Sequence, residues 1–275
     1  MTEKQAKALE VKARTQLSPY LEKCCLLVSA NASYERTRQD ILVLTGLKVS
    51  RGTQQRLVHR QTFELPIVED TVEEVSIDGG KVRIRTPQGE ICRWQDYKAV
   101  NLHQHYREAF LQSNEKLVGW VNGQPLATLL TCLGDGHDGI WNLFEEIARA
   151  SQRQEILDWF HLKENLHKLG GSQQRLATVE ALLWKGNVDA AIQEFKDWQH
   201  ERVDTFIAYL NKHRHRLVNY SYFQAEGISI GSGTIESTVK QIGARIKLSG
   251  AQWKAENVPQ VLLHRCAYLN GQFSI

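Results

Sequence analysis

Residues 126–133, LATLLTCL, form a nearly continuous apolar run that ends in Gly134, Asp135 and Gly136. The run is as long as a typical strand, and the lack of polar alternation predicts a strand covered on both faces. Such a strand needs helices above and below its sheet. Helical patterns surround the run, so we predict an α/β protein whose mixed sheet is flanked by helices.

The chain before residue 66 has a different pattern, without strand signals. Apolar residues such as Leu9, Val11 and Leu21 recur at helical spacing, and serines that suit helix N-caps precede two further segments, 33–44 and 51–60. A glycine-containing turn at 45–50 separates these segments. Helix, glycine turn and a helix opening with Arg and Gln are typical of a helix-turn-helix. We therefore predict an N-terminal helical domain over 1–66 and a second domain over 67–275.

The second domain begins with strand signals and ends with helices. Strands are predicted over 72–78, 81–85 and 97–102, with a hairpin turn at Gly79 and Gly80. Residues 114–119 are predicted as a loop or short strand, 139–150 as a helix, 155–160 as a strand and 162–169 as a helix. The region of about 172–222 has only helical patterns and is interpreted as a helical insertion. Two last helices are predicted over 233–248 and 257–269.

Bulk composition limits the class of protein but not its activity. The chain has 275 residues, 24% charged residues and a formal net charge of +3, so a nucleic-acid surface would have to be a local patch. No apolar run approaches the roughly 18 residues of a membrane helix, and the N-terminus lacks a signal-peptide pattern, which predicts a cytoplasmic protein without membrane partners. The five cysteines do not have metal-site spacing and are predicted to be reduced.

Three carboxylates stand where a metal site could form. Asp78 and Asp135 each end an apolar, strand-like run, and Glu236 opens a late helix after Gly231 and Gly233. Two strand-end acids and one helix acid suit two-metal phosphoryl chemistry. Each residue also has a structural alternative: a turn for Asp78, and capping or pairing with Lys240 for Glu236.

Asp138 competes with Asp135 for the metal role. Because Asp138 immediately precedes a helical pattern, we assign it to the helix N-cap and assign metal binding to Asp135.

Seven residues are candidates for DNA contacts. Candidates in the predicted helix-turn-helix would reach base edges in a DNA groove. Cations on or beside the helix that carries Glu236 would neutralise phosphates. A tryptophan after the helix would stack on an unpaired base. The candidates are Arg51, Gln54, Gln55, Lys240, Arg245, Lys247 and Trp253. The alternatives are a packing bundle for the N-terminal helices, a solvent face for the late cations and a core anchor for the tryptophan.

Four segments resemble DDE transposases of bacterial insertion sequences, the ISKra group most closely and Mutator-like transposases more widely. They are SIDGGKVRIR (76–85), GDGHDGIW (134–141), LDWFHLK (157–163) and GSGTIE (231–236). The resemblance extends from about residue 72 to the C-terminus. It implies a ribonuclease-H-like core in which Asp78, Asp135 and Glu236 hold Mg²⁺, or Mn²⁺ as a substitute, and in which the helical stretch is an insertion.

The third segment is similar to an Asp-x-x-His element of Mutator-like relatives, which implies that His161 assists near the scissile phosphate. Capping or packing at a strand-to-helix junction is the alternative for His161. Relatives often carry cysteine-bearing DNA-binding segments further upstream, so a shortened copy or one frame of a split gene is expected.

The resemblance also implies the reaction and its partners. The expected reaction is metal-dependent DNA strand cleavage and strand transfer, on terminal inverted repeats and target DNA, by a homo-oligomer. Two alternatives stay open: a DNA-binding transposase remnant without catalysis, and another ribonuclease-H-like nuclease.

Overall fold

The structure is a computed structural model that describes Gln5 and residues 17–273. The predicted apolar positions Leu9 and Val11 lie outside the described residues. Within the described part, no helix is both long and apolar enough to cross a membrane.

Between residues 17 and 60, the structure has three helices, each opened by a serine. They are α1 (Pro19–Ser29), α2 (Tyr34–Thr45) and α3 (Arg51–Arg60). The hydroxyls of Ser33 and Ser50 accept hydrogen bonds from backbone amides one turn later, at 3.1 Å in both cases. Gly46 ends α2 with a left-handed φ of 71°, which glycine adopts without strain. The predicted helices over 33–44 and 51–60 are therefore confirmed.

Five strands form one mixed sheet in the described residues. They are β1 (Val72–Ile84), β2 (Arg93–Leu102), β3 (Tyr106–Leu111), β4 (Leu126–Gly134) and β5 (Arg153–Leu157). Their order is β3-β2-β1-β4-β5. Strands β1, β2 and β3 pair antiparallel, whereas β4 is parallel to both β1 and β5. The mixed sheet is thus confirmed, and β4 matches the apolar run that predicted it.

The predicted hairpin turn at Gly79 and Gly80 is wrong, because β1 continues through both residues to Ile84. The reason is a close side-chain approach across the sheet. A β-carbon at Gly80 would lie 2.2 Å from the ring of Tyr97, so glycine makes room for this ring inside the strand. The chain reverses only after Ile84, in a turn where Gly89 has a φ of 90°.

Helices cover both faces of the sheet. They are α4 (Asn114–Asn122), α5 (Asp138–Glu146), α6 (Trp159–His167), α7 (Gln173–Trp184), α8 (Val188–Gln193), α9 (Glu201–Lys212), α10 (Tyr220–Ala225), α11 (Gly233–Ile246) and α12 (Val258–Leu269). Residues 114–119 therefore belong to a helix, not to a loop or strand. The predicted strand over 155–160 ends at Leu157, because Asp158 caps α6 immediately afterwards. Helices α7 to α10 occupy the stretch interpreted as an insertion.

Three apolar clusters hold these layers together. One sheet face, with Ile77 and Leu130, packs with helices that include α4, α5 and α6. The opposite face, with Val82 and Tyr97, packs with α11 and α12. The third cluster fills the space among α1, α2 and α3. The acid-bearing helix α11 therefore lies directly on the face formed by β1 and β2.

Candidate metal and nucleic-acid site

Three aspartates lie in register across three neighbouring strands. Ser76 pairs with Leu133 across β1 and β4, so Asp78 and Asp135 are two positions further on in the same register. Gly134 pairs with Leu157 across β4 and β5, which places Asp158 beside Asp135. The Asp158 amide continues this ladder by donating to the Gly134 carbonyl at 2.9 Å. Neighbouring strands are about 4.8 Å apart, so the aspartates form a continuous row, called the carboxylate row below.

The side chain of Asp78 lies in an electrostatic environment shared with other acids. Its Oδ1 accepts a hydrogen bond from the Gly79 amide at 2.6 Å. Burial raises the pKa of Asp78 above its usual range, and the negative charges of Asp135 and Glu236 raise it further, whereas Gly79 and His161 oppose the shift. The charges of Asp135 and Glu236 therefore act on Asp78, and these three carboxylates come from two neighbouring strands and one helix.

Asp135 follows β4 and bends the chain toward α5. Its Oδ1 accepts from the His137 amide at 2.9 Å. The predicted N-cap role of Asp138 is wrong: His137 caps α5, with its Nδ1 accepting from the Gly139 amide at 3.1 Å. The carboxylate of Asp138 pairs with Lys212 on α9 instead. This ion pair satisfies Asp138, while Asp135 remains in the carboxylate row.

Asp158 was not among the predicted site residues, although it is the most enclosed member of the row. Its side chain is 0% exposed. Oδ1 accepts from the His161 amide at 2.8 Å, and Oδ2 accepts from the Ser232 amide just before α11. Burial alone would raise the pKa of Asp158, but hydrogen bonds from His161 and Ser232 outweigh burial and lower it. Asp158 thus fastens the glycine loop before α11 to the start of α6.

Only a weak signal could have identified Asp158 from the sequence. An aspartate that directly precedes a helical pattern predicts an N-cap, and Asp158 fulfils that role. Its second bond spans 74 residues of sequence to Ser232, a contact that no local pattern encodes.

His161 lies between two acids of this site. Its Nδ1 is 3.6 Å from Asp158 Oδ1 and 3.9 Å from Glu236 Oε1. In the described residues, the three ligand atoms that Asp158, His161 and Glu236 offer lie within 4.8 Å of one another. The Asp158 carboxylate raises the pKa of His161 to about 9 against the opposing effect of burial, and Glu236 and Asp135 contribute. His161 is therefore protonated at neutral pH and supplies the local positive charge.

Glu236 lies in the first turn of α11, and its side chain is one-third exposed. Its Oε2 is 3.3 Å from Nζ of Lys240, one turn later on the exposed face. The helix is held in place by the neighbouring residues: Ile235 is buried, and the Asn101 amide donates to the Thr238 hydroxyl at 3.0 Å. The rigid support and the open side chain together allow Glu236 to bind a ligand above the carboxylate row.

Two predicted DNA contacts on and after α11 are corrected. Arg245 is 1% exposed, and its Nε donates to the Ser29 carbonyl at 2.7 Å. Its guanidinium lies over the rings of Tyr34 and Trp253, at 5.2 and 5.0 Å from their centroids. Trp253 is half-buried and donates from its indole nitrogen to the Ile246 carbonyl at 2.9 Å. Both side chains anchor helices, which was the alternative for Trp253. Lys240 and Lys247 are exposed.

The N-terminal candidates divide in the same way. Gln54 is 0% exposed and contacts Cys25 Sγ at 3.4 Å, so it does not face a DNA groove and this prediction is wrong. Arg51 and Gln55 are exposed on α3. The inner side of α3 contacts α12, where the Gln260 amide donates to the Val58 carbonyl at 2.8 Å. The helices therefore pack on the second region, while Arg51 and Gln55 remain open to solvent.

The side chains at the carboxylate row fit a divalent metal by their chemistry. Asp78, Asp135 and Glu236 supply hard oxygen ligands, which Mg²⁺ and Mn²⁺ prefer. Burial raises the pKa of Asp78, and the charges of Asp135 and Glu236 add to this shift, so a nearby cation would stabilise the ionised carboxylate. Both oxygens of Asp158 accept backbone hydrogen bonds, which leaves this residue a supporting role.

Comparisons with known proteins give little further information. No protein-family model matches the chain, and no curated protein matches it. Among solved structures, the chain is similar to a Drosophila P element transposase strand transfer complex with a TM-score of 0.34 and 12% identity. That alignment covers 99% of this chain and 83% of the other. Function therefore has to be inferred from the site itself.

Proposed function

We propose that this protein is a metal-dependent enzyme of the transposase type that cleaves DNA strands and transfers them. The observation that supports the proposal is the register that puts Asp78 and Asp135 at the same level of neighbouring strands, with Glu236 in the first turn of the helix packed on β1 and β2. The sheet order β3-β2-β1-β4-β5 with β2 antiparallel to its neighbours supports a ribonuclease-H-like core. The resemblance of the four segments to DDE transposases has the same implication.

In this proposal, Asp78, Asp135 and Glu236 hold Mg²⁺. When bound, paired divalent ions activate the attacking hydroxyl and stabilise the leaving oxygen of a phosphodiester. The protein's own contribution is placement. Asp158 fixes the loop immediately before α11, the helix that carries Glu236. Protonated His161 offers a positive charge to a phosphate oxygen beside Glu236.

The proposed substrate is double-stranded DNA at terminal inverted repeats, together with target DNA, and the proposed active form is a homo-oligomer on that DNA. Exposed Arg51 and Gln55 on α3 are the proposed base-reading residues, and Lys240 and Lys247 are proposed to contact phosphates.

The test measures strand cleavage of repeat-containing duplexes with Mg²⁺ for wild type, Asp135→Asn and Glu236→Gln. Exposed Glu226→Gln is the matched control. Loss of a metal ligand should reduce the cleavage rate by more than the roughly 10–100-fold seen when only a supporting residue is changed. Cleavage that survives in both site variants contradicts the proposal.

Other outcomes distinguish the alternatives. Repeat-specific binding without cleavage by wild type supports a non-catalytic remnant. Mg²⁺-dependent cleavage without preference for repeat ends supports another nuclease of the same fold.

A further inference from the structure

The hairpin formed by β1 and β2 extends beyond the carboxylate row. The two strands stay paired as far as Ile84 and Arg93, whereas the β1–β4 pairing ends at Ser76 and Leu133, two residues before Asp78 and Asp135. Residues 79–98 therefore form a two-stranded ribbon that leaves the sheet from the same strand position that holds Asp78.

One face of this ribbon is buried and the other is open. Val82, Ile84 and Tyr97 are buried in the cluster that includes α11 and α12. Side chains alternate along a strand, so the intervening positions face the opposite way. On that side, Lys98 is across from Gly79, Asp96 from Lys81, and Trp94 from Arg83. We call this side the outer ribbon face; it consists of Lys81, Arg83, Trp94, Asp96 and Lys98, with Arg85 at its tip.

The outer ribbon face is rich in cations that have no acidic partner. Four of its residues are positive, namely Lys81, Arg83, Arg85 and Lys98, against Asp96 alone. Within the described residues, none of these four cations comes within 4.0 Å of a carboxylate oxygen.

Two side chains of the outer ribbon face show where it lies: Trp94 is exposed to solvent, and Lys98 is near the residues that follow Asp78. Trp94 is 51% exposed beside Arg83. A β-carbon built on Gly79 would lie 3.4 Å from Lys98 Nζ, and one on Gly139 would lie 3.9 Å from it. The Lys98 ammonium is therefore close to the residues that follow Asp78 and open α5. Alternation places the Asp78 side chain on the buried side of the ribbon with Val82. The outer ribbon face therefore begins one residue beyond Asp78, on the opposite side of β1, and continues away from the carboxylate row.

We infer that the outer ribbon face binds the sugar–phosphate backbone of duplex DNA where the duplex extends past the carboxylate row. This inference rests on the proposed function for the identity of the polyanion. Cations two residues apart on a strand are separated by about 6.8 Å. That spacing is about the axial rise of two nucleotides on one DNA strand, so Lys81, Arg83 and Arg85 reach different phosphates. Contacts of this kind do not depend on base sequence.

The experiment measures duplex binding by fluorescence anisotropy at several salt concentrations in metal-free buffer, where cleavage cannot occur. Lys81→Glu/Arg85→Glu removes two exposed cations, and Lys81→Ala/Arg85→Ala is the neutral version. Lys116→Glu/Lys185→Glu makes the same charge change at exposed positions outside the ribbon. The ribbon variants should flatten the slope of log affinity against log salt by about 0.9 for each lost phosphate contact, hence by roughly 2. The control should keep the wild-type slope.

A second measurement uses Cys92, the exposed cysteine of the ribbon. Bound duplex should slow alkylation of the Cys92 peptide in wild type and not in the ribbon variants, as followed by mass spectrometry. Thermal melting checks that each variant is folded. If Lys81→Glu/Arg85→Glu does not fold, Lys81→Ala/Arg85→Ala is used in its place.

The outcomes separate this inference from the proposed function. A flattened slope and lost Cys92 protection support the ribbon site even if wild type never cleaves DNA, a result that would contradict only the proposed function. Ribbon variants with the wild-type slope and unchanged Cys92 protection overturn the inference, whatever the cleavage assay gives.

Discussion

Helix α11 carries a charged residue near each end, and the two residues have opposite surroundings. Near its start, Glu236 lies one-third exposed close to His161, and its charge contributes to raising the pKa of Asp78. Near its end, Arg245 is buried between two aromatic rings and donates to the Ser29 carbonyl. At the start of α11, the negative charge of Glu236 acts on the side chain of Asp78, and Glu236 is partly exposed. The second end surrounds one charge with carbonyl and ring acceptors.

This difference gives a physical criterion for separating function from structure. Like charges held close together destabilise the folded state unless a ligand neutralises them, so such a cluster is a candidate binding site. A buried guanidinium with a carbonyl acceptor and two rings instead stabilises the contact it makes. Arg245 and Arg265 both bond to carbonyls at the end of α1, and Arg265 Nη1 donates to Ala30 at 3.1 Å. We call these two arginines and their partners the arginine junction.

The largest stability effect is expected from Arg245→Met. The variant loses two cation–π contacts and leaves the Ser29 carbonyl without its donor, which together should lower the free energy of unfolding by about 2–4 kcal/mol. Glu236→Gln, on the same helix, should stay within about 0.5 kcal/mol of wild type, as expected for a partly exposed side chain. Urea unfolding in metal-free buffer measures both. Equal losses of unfolding free energy in Arg245→Met and Glu236→Gln would contradict the distinction between a structural end and a binding end of α11.

The next largest stability effect is expected to differ between two members of the carboxylate row, Asp158 and Asp135. Asp158→Ala removes the N-cap of α6 and leaves the Ser232 amide without its acceptor, so we expect a loss of about 2–3 kcal/mol. Asp135→Asn keeps a side-chain oxygen for the His137 amide and relieves repulsion, so stability should be unchanged or higher. Thermal and urea unfolding of the two variants provide the measurement. If Asp135→Asn were as damaging as Asp158→Ala, Asp135 would also be a structural residue.

Sequence patterns predicted the layers of this protein better than its contacts. The apolar run of β4 predicted a strand just before Asp135, because continuous apolarity is a local property. The predicted cover on both faces is found only from Leu130 onward, since Leu129 is 57% exposed. The hairpin at Gly79 and Gly80 was wrong, because these glycines look like a turn unless one knows that the ring of Tyr97 lies across from Gly80. Strand β3 was not predicted.

The candidate site shows the same limit. Asp78, Asp135 and Glu236 could be nominated from strand ends and a glycine-rich helix start, and their catalytic role stays a prediction. As cations on or beside one helix, Lys240, Arg245 and Lys247 were all predicted to contact phosphates. Only the packing of α1 and Trp253 against α11 separates the buried arginine from the exposed lysines. Contacts that span 216 residues cannot be read from helical periodicity.

The pH dependence of stability should also differ between the two regions. Burial, with Arg245 and Arg265 nearby, lowers the pKa of His264 at the arginine junction to about 3. The unfolded chain takes up a proton near pH 6.5 while the folded protein does not, so stability is lost as the pH falls from 6.5 toward 3. His161 has the opposite sign: its contribution is present below pH 6.5 and is lost as the pH rises through about 9.

His264→Gln tests the acid side of this difference. Linkage predicts that His264 lowers the free energy of unfolding of wild type by about 2 kcal/mol between pH 7.5 and pH 5. Over the same pH range, the free energy of unfolding of the variant should fall by about 2 kcal/mol less than that of wild type. Urea unfolding at both pH values gives the difference, with exposed His105→Gln as the control. Comparing each variant with itself removes the constant cost of losing the contact between His264 and Phe63. Identical acid sensitivity in wild type and His264→Gln would contradict a neutral, buried His264.

The smallest effect on stability is expected from Lys240→Ala. This variant tests whether the lysine next to Glu236 contacts DNA or is only an exposed surface residue. Its side chain is 77% exposed and its ammonium is 3.3 Å from Glu236 Oε2. Exposed pairs of this type contribute about 0.3–0.5 kcal/mol. Stability should therefore change by no more than that, far less than for Arg245→Met. If Lys240 contacts a phosphate, the salt slope of duplex binding should flatten by about 0.9, equally for repeat and scrambled sequences. Lys247→Ala is the matched variant at the other end of α11. A loss confined to repeat DNA would instead make Lys240 a base-reading residue.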